Sequence, residues 1–194
     1  MTGRRSTAGP VAVRRVGEET VDRLKPLWLE LHHHHQRIGR AALGPYVTDA
    51  ASWTARRALY RRILAGPRSF ALTAERDATL IGYCLVAVTP ADQTWLPDTW
   101  RSGPLVAEIE SLCVTEQARG AGIGSLLLDR VDAELAVEGI DDVVIGAVSG
   151  NDAAMRLYER RGFQPAMTYL TRLAGNSRPP RSGPQHRPGP GPTR

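Results

Sequence analysis

The feature that most constrains this chain is residues 108–131, where a short apolar run meets a helical pattern across three glycines. Residues 109–114 have the composition of a strand, and the apolar spacing across residues 127–135 predicts a helix. The glycines between them alternate with other residues: Gly120, Gly122 and Gly124. A strand that enters a helix through residues without side chains leaves the first helical N–H groups unpaired and open to close approach. Because those donors and the positive end of the helix dipole point the same way, the sequence predicts an anion-binding site.

Three kinds of phosphate-binding loop compete for this stretch. A P-loop ends in Gly-Lys-Ser/Thr, whereas here Ser125 follows Gly124 without a lysine. A dinucleotide-binding loop needs a glycine where this chain has Ser125. It also needs an acidic residue at the end of the next strand, whereas Asp141 and Asp142 precede that strand. The third kind has the pattern R-x-x-G-x-G, which residues 119–124 match. A glycine-rich helix start that binds no ligand is the alternative.

Length, composition and charge indicate one globular domain. The 194 residues are 42% hydrophobic, which is enough for a core. No apolar stretch approaches the ~18 residues of a membrane helix, and the N-terminus lacks the apolar region of a signal peptide, so we expect a cytoplasmic protein without a membrane partner. The net charge of +5 includes six arginines near the two ends, so residues 10–173 carry about −1 and binding to nucleic acid is not supported.

The chain divides into a flexible N-terminus at residues 1–9, a domain at residues 10–173, and a Pro/Gly/Arg-rich tail at residues 174–194 that we expect to be disordered. Cys84 and Cys113 fall within predicted strands. Their spacing suggests no metal site, so we expect buried reduced thiols and no metal.

Periodicity and turn residues predict the element order of the domain. The predicted strands are 11–16, 70–74, 80–88, 109–114, 143–148 and 167–173, and the predicted helices are 18–38, 48–64, the helix after the glycines, and 151–162. Pro26 predicts a kink or a late start in the first helix. Four arginines are interpreted as the solvated face of the second: Arg56, Arg57, Arg61 and Arg62.

Two side-chain groups are candidates for an acceptor pocket. His34 and His35 continue the apolar stripe of the first helix and are expected to line a pocket, whereas His32 and His33 should point more toward solvent. Metal binding by this run lacks an acidic or cysteine partner. Trp95 and Trp100 lie in a long loop, where they could wall a binding site or pack over a sheet edge.

A second motif follows the predicted strand 143–148. Residues 151–163, NDAAMRLYERRGF, and the glycine stretch before them resemble the two signatures of the GNAT superfamily of N-acetyltransferases, R-x-x-G-x-G and N-x-x-A-x-x-x-Y-x-x-x-G-F. The resemblance covers residues 10–173, although Glu116 replaces a proline common in relatives. It implies an α/β (α+β) fold, with a mixed central sheet of about six to seven strands flanked by helices on both faces.

The resemblance also implies acetyl-CoA as cosubstrate, with its pyrophosphate on the glycine stretch and its pantetheine along the strand backbone. Asn151 would contact the cofactor arm, and Tyr158 would lie near the sulfur as the acid; a packed aromatic is the alternative for Tyr158. The cofactor-binding residues expected on this basis are Leu112, Cys113, Val114, Arg119, Gly120, Ala121, Gly122, Ile123, Gly124, Ser125, Asn151 and Tyr158.

Acetyl transfer to an amine needs a base, because a primary amine with a pKa near ~10.4 is protonated at neutral pH. Relatives commonly place the proton acceptor on the fourth strand. There Glu108 and Glu110 should share one face with Leu112 and Val114. Burial and mutual repulsion would raise one carboxyl pKa toward the useful range, so Glu110 is the first candidate and Glu108 the second. The alternative is an exposed strand face or a salt bridge to an arginine.

The sequence therefore predicts an N-acetyltransferase that passes the acetyl group of acetyl-CoA directly to an amine. The acceptor would be a small molecule, a peptide N-terminus or a lysine, and an acidic lining would suit a cationic amine. A non-catalytic GNAT-fold module that senses acyl-CoA is the alternative. Acceptor identity and homodimer formation stay open.

Overall fold

The structure, a computed structural model, describes residues 9–43 and 45–173. The predicted disordered tail lies outside the described residues, as does nearly all of the predicted flexible N-terminus. The described elements, in chain order, are β1 (Ala12–Val16), α1 (Lys25–Leu43), α2 (Asp49–Leu64), β2 (Phe70–Arg76), β3 (Thr79–Pro90), β4 (Leu105–Val114), α3 (Ile123–Val137), β5 (Asp142–Ile145) and α4 (Asp152–Arg160).

The strands form one mixed sheet in the order β1-β2-β3-β4-β5. The first four are antiparallel to their neighbours, and β5 pairs parallel to β4. Helices cover both faces, which confirms the predicted fold class. One core packs α3 and α4 against the sheet, and the other packs α1, α2 and the preceding 3-10 turn.

The predicted sheet of six to seven strands is wrong in number, because the described residues contain five. The segment Met167–Leu173 forms no strand. Its Tyr169 and Leu170 side chains are 79% and 94% exposed, so they do not pack against the sheet. Strand pairing is only weakly specified where neither face of a segment is buried. The described sheet therefore ends at β5, which is four residues long.

The start of α1 follows from Pro26. A 3-10 turn, Glu18–Leu24, occupies the first part of the predicted helix, and α1 begins at Lys25. Pro26 thus lies in the first turn, where a missing N–H breaks no helical hydrogen bond. The prediction of a late start is confirmed.

A β-bulge interrupts β4 at Glu110. Leu85 of β3 lies opposite Ser111, and the next residue, Val86, lies opposite Ile109, so Glu110 has no partner in the ladder. An extra residue of this kind reverses the alternation of side chains along a strand.

The bulge changes which face the end of β4 presents. Leu112 and Val114 pack into the same core as Ile109, under α3 and α4, while Cys113 packs into the α1–α2 core. The prediction that Glu110 shares a face with Leu112 and Val114 is therefore wrong: Glu110 contacts α2 on the other side of the sheet.

Candidate active site

The site is a cavity of about 460 Å³ at the point where β4 and β5 separate. The two strands pair only along residues 106–109 and 142–145, and β4 then continues to Val114 while β5 ends. On one side the cavity is lined by the end of β4, the glycine loop (residues 119–125) and α4. On the other it is lined by side chains of α1 and α2. We call these the cofactor half and the acceptor half.

The three glycines of the loop have two different roles. Gly120 and Gly122 have φ values of +75° and +79°, the left-handed region that glycine adopts without strain. A Cβ atom at either would meet no described atom within 4 Å, so the space in front of them is open. At Gly124 a Cβ atom would lie 3.0 Å from Leu157 Cδ2, so this glycine allows α3 and α4 to pack closely.

The N-terminus of α3 has no side-chain cap among the residues that the structure describes. Gly122 is the N-cap residue and has no side chain to offer, and the first turn contains no acid. The first N–H groups of α3, at residues 123–125, therefore lack a side-chain acceptor and line the cavity with Arg119. The Arg119 side chain is anchored by its Nε, which donates to the Val114 carbonyl oxygen at 3.2 Å. This arrangement fits a pyrophosphate group.

The other residues predicted to bind the cofactor differ in the groups that they present to the cavity. Asn151 lies in the cavity wall and caps α4, with its Oδ1 accepting from the Ala154 N–H at 3.3 Å. The Cys113 thiol faces away and donates to the Leu27 carbonyl oxygen at 3.2 Å, so only its main chain is available to a ligand. Burial raises the pKa of the Cys113 thiol to about 12. Ala121 is not part of the cavity wall.

Tyr158 reaches the cavity from α4. Its side chain is buried and meets Phe163 edge-on, with ring centroids 6.0 Å apart. No described residue is hydrogen-bonded to its hydroxyl group. Burial, and then the neighbouring Cys84, raises the pKa of Tyr158 to about 12. Tyr158 is therefore a protonated donor across the physiological range.

An ion pair dominates the acceptor half. Arg56 Nη1 of α2 donates to Glu110 Oε1, and each side chain is 22% exposed. The Arg56 guanidinium also lies over the Trp28 ring, with 3.9 Å between its central carbon and the ring centroid. The interpretation of Arg56 as solvated surface is wrong. It stands three residues after Trp53 and four before Tyr60, both buried, so helical spacing places it on the inner face of α2.

Glu108 lies just outside the cavity. It is two residues before Glu110 on β4 and is not part of the cavity wall. Burial, and then the charge of Glu110, raises the pKa of Glu108. Glu110 is thus the strand carboxylate in direct contact with the cavity, and it is held by an arginine.

One of the four histidines of α1 lies in a different environment from the one predicted. His34 and His35 line the cavity as expected, and burial, with the charges of His34, Arg56 and His32, lowers the pKa of His35 to about 4. His32 is buried rather than solvated, because it stacks beside Trp28 and its Nε2 lies 2.8 Å from Gln36 Nε2. The described residues contain no group of three or more His, Cys, Asp and Glu side chains that could hold a metal ion.

Trp95 and Trp100 do not reach the cavity. They contact each other edge-on, with centroids 5.5 Å apart, and they are 38% and 56% exposed. Their loop leads into the first residue of β4, whereas the cavity lies at the last residues of that strand. Trp95 and Trp100 are therefore not brought together with the other predicted site residues.

Comparison with known proteins identifies the family. A model of the acetyltransferase (GNAT) family matches residues 28–163. This chain belongs to the GNAT acetyltransferase family. No helix of the described residues is long and apolar enough to cross a membrane.

Curated relatives match part of their own length. A mycothiol acetyltransferase of Frankia casuarinae is 33% identical over 117 residues, which are 60% of this chain and 32% of that protein. Matches to the related enzymes of Sanguibacter keddieii and Frankia alni cover 28% of each. The chain thus spans about a third of the length of the curated relatives it matches.

Solved structures share the fold. A GCN5-related N-acetyltransferase from Ralstonia eutropha superposes with a TM-score of 0.65 at 23% identity, covering 86% of this chain and all of the other. An aminoglycoside N-acetyltransferase, AAC(6')-Iy, in complex with CoA has a TM-score of 0.64 at 14% identity, covering 87% of this chain and 97% of the other. At these identities the likeness establishes the fold alone.

Proposed function

We propose that the chain transfers the acetyl group of acetyl-CoA directly to the amine of an acceptor. One observation carries the proposal: a single cavity joins the uncapped N-terminus of α3 to Tyr158 on one side and to Glu110 on the other. Unpaired N–H groups, a hydroxyl donor and a carboxylate therefore surround one continuous space. Membership of the acetyltransferase family supports the same reaction.

Main-chain groups of the cofactor half would bind the cosubstrate. The open N–H groups of α3 and the charge of Arg119 would hold the pyrophosphate. The edge of β4 beyond Ile109, which β5 no longer covers, offers backbone groups to the pantetheine arm. Acetyl-CoA, when bound, supplies an activated acyl group as a thioester.

Glu110 would act as the base in the acceptor half. Its contact with Arg56 uses Oε1 and leaves Oε2 without a described partner. Glu110 would accept one proton from the acceptor ammonium, so that the nitrogen can attack the thioester carbonyl carbon. The C–N bond forms as the C–S bond breaks, the second nitrogen proton passes to the sulfur, and the proton on Glu110 returns to solvent. The reaction as a whole releases one proton.

Tyr158 would stabilise the departing sulfur by hydrogen bonding rather than by full proton transfer. With its pKa at about 12 and a thiol near ~8.5, giving up the proton is uphill by roughly 3.5 units, or ~4.8 kcal/mol. A hydrogen bond from the hydroxyl to a developing thiolate avoids this cost.

The acceptor half supports an amine acceptor of modest net charge. Arg56 neutralises Glu110, and His35 is uncharged near neutral pH, so the cavity does not offer the acidic lining that the sequence suggested. Relatives named as mycothiol acetyltransferases make a small-molecule acceptor the first class to test.

Release of free thiol from acetyl-CoA, measured across a panel of amino acids, simple amines, aminoglycosides and short peptides, tests the proposal. We expect turnover with at least one small-molecule amine and micromolar binding of CoA by calorimetry. CoA binding without turnover of any acceptor would favour the acyl-CoA-sensing alternative.

A further inference from the structure

The acceptor half contains two opposite charges in direct contact. Arg56 and Glu110 come from α2 and β4, and both line the cavity. His34 and His35 line the same half of the cavity, and His35 is neutral above a pH of about 4. The acceptor half therefore presents a fixed dipole rather than a patch of one sign.

Arg56 is held rigidly in this position. Its guanidinium lies over the Trp28 ring at 3.9 Å and beside the Tyr60 ring at 5.5 Å. Tyr60 is fixed in turn, because its hydroxyl lies 2.5 Å from Ser111 Oγ and 2.9 Å from Tyr83 Oη. A guanidinium clamped in this way loses little further entropy when it binds a ligand.

Most of the hydrogen-bonding capacity of Arg56 is unused. A guanidinium has five N–H donors, and the described contacts of Arg56 include one donor, Nη1, to one oxygen of Glu110. None of its other nitrogens is fully buried without a partner, and the residue lines the cavity. The planar fork of donors matches a carboxylate, which it binds through two parallel hydrogen bonds.

We infer that the acceptor is an α-amino acid or an equally compact zwitterion, with its carboxylate on Arg56 and its ammonium on Glu110. This inference rests on the proposed function, since Glu110 serves as base in both. A zwitterion replaces one ion pair by two and leaves both protein charges compensated. A simple amine would compete with Arg56 for Glu110 and leave the guanidinium without a full partner in a partly desolvated site.

Matched acceptors that differ only in the carboxylate test the inference. We would compare kcat/KM for L-phenylalanine with phenethylamine, and for L-leucine with isopentylamine, at saturating acetyl-CoA. The amino acid should be favoured by about 10- to 100-fold, the contribution expected of charge-assisted hydrogen bonds to one carboxylate.

Variants assign the selectivity to Arg56. Arg56→Gln should reduce the preference to within about threefold, mainly through KM. Arg56→Lys keeps the charge without the fork; it should retain part of the preference, and it replaces the first variant if that one does not fold. Arg57→Gln is the matched control, because Arg57 follows on the same helix but pairs with Asp22 at the surface; it should keep the full preference.

The outcomes separate this inference from the proposed function. Equal kcat/KM for amino acids and their decarboxylated amines, or a preference that survives Arg56→Gln, keeps acetyl transfer and overturns the zwitterionic acceptor. Failure of every acceptor in the panel overturns both. A preference that is lost in Arg56→Gln and kept in Arg57→Gln supports both the zwitterionic acceptor and the proposed acetyl transfer.

Discussion

The cofactor half and the acceptor half of the cavity are made from different parts of the chain. In the cofactor half the main chain provides the donors, through the N-terminus of α3 and left-handed glycines within one short segment. In the acceptor half side chains provide the polar groups, and Arg56 and Glu110 are 54 residues apart in sequence.

The two halves should differ in how easily they vary. Backbone donors survive most substitutions as long as the glycines stay, because the N–H groups do not depend on residue type. A side-chain pair changes with a single substitution on either element. One cosubstrate can therefore be kept while acceptors diverge, and substitutions in the two halves should have separable effects on cofactor affinity and on turnover.

The largest effect is expected from Gly122→Val. A β-branched residue at a φ of +79° is strained, and its side chain would occupy open space in front of the helix N-terminus. Loss of two or more charge-assisted hydrogen bonds should weaken CoA binding by roughly 10³-fold or more in calorimetry. Gly139→Val is the matched control, since Gly139 also has a positive φ of +66° and open surroundings but lies outside the cavity wall. Equal CoA affinity in the two variants would remove the phosphate-binding role of the loop.

Glu110→Gln should act on the acceptor half alone. General bases contribute ~10²–10⁴-fold, so kcat should fall by that order at neutral pH while CoA affinity stays unchanged. The deficit should shrink as pH approaches the pKa of the acceptor amine, because free amine is then supplied by solvent. Glu108→Gln should reduce kcat less, since Glu108 lies outside the cavity wall. Full activity with an unaltered acidic limb of kcat/KM would transfer the role of base to Glu108 first and to His34 or His35 next.

A smaller effect is expected from Tyr158→Phe, at the residue proposed to stabilise the departing sulfur. Loss of one hydrogen bond to a developing charge should lower kcat by about 10- to 100-fold, with little change in CoA affinity. Tyr169→Phe, at a residue that is 79% exposed, should behave as wild type. Wild-type kcat in the Tyr158 variant would leave Tyr158 a packing residue against Phe163.

The smallest effect concerns stability and pH in the acceptor half. The pKa of His35 is lowered from 6.5 to about 4, so between these values the unfolded chain binds a proton that the folded chain does not. His35 therefore reduces stability progressively as pH falls from about 6.5 to about 4. Over that pH range the free energy of unfolding of His35→Gln should fall by about 1–2 kcal/mol less than that of wild type, as measured by urea unfolding. This figure is discounted because His35 is partly exposed. His33→Gln, at an exposed residue of the same helix, should parallel wild type; a His35 variant that does the same would contradict the buried, neutral imidazole.

The cofactor half was the more predictable from sequence. Its glycines, Asn151 and Tyr158 occur in contiguous motifs, and local geometry largely decides where such residues lie. The acceptor half depends on pairing between distant elements. Nothing in the composition around Glu110 signals a bulge, and the alternation expected of a regular strand assigned Leu112 and Val114 to the wrong face. Arg56 could have been found, because its spacing from Trp53 and Tyr60 marks the inner face of α2.

The bulge at Glu110 has a consequence for how this strand can change in length. A deletion of Glu110 itself would restore a regular ladder, because Val86 and Leu85 would stay opposite Ile109 and Ser111. The other side chains of β4 would keep their faces. A one-residue deletion elsewhere in β4 would instead turn one end of the strand over, so that either Leu112 and Val114 or Ala107 and Ile109 would leave the α3–α4 core. We therefore expect the fold to tolerate removal of Glu110 and to be destabilised by a deletion at another position of this strand. The residue proposed as the base is thus one that the pairing of the strands does not need.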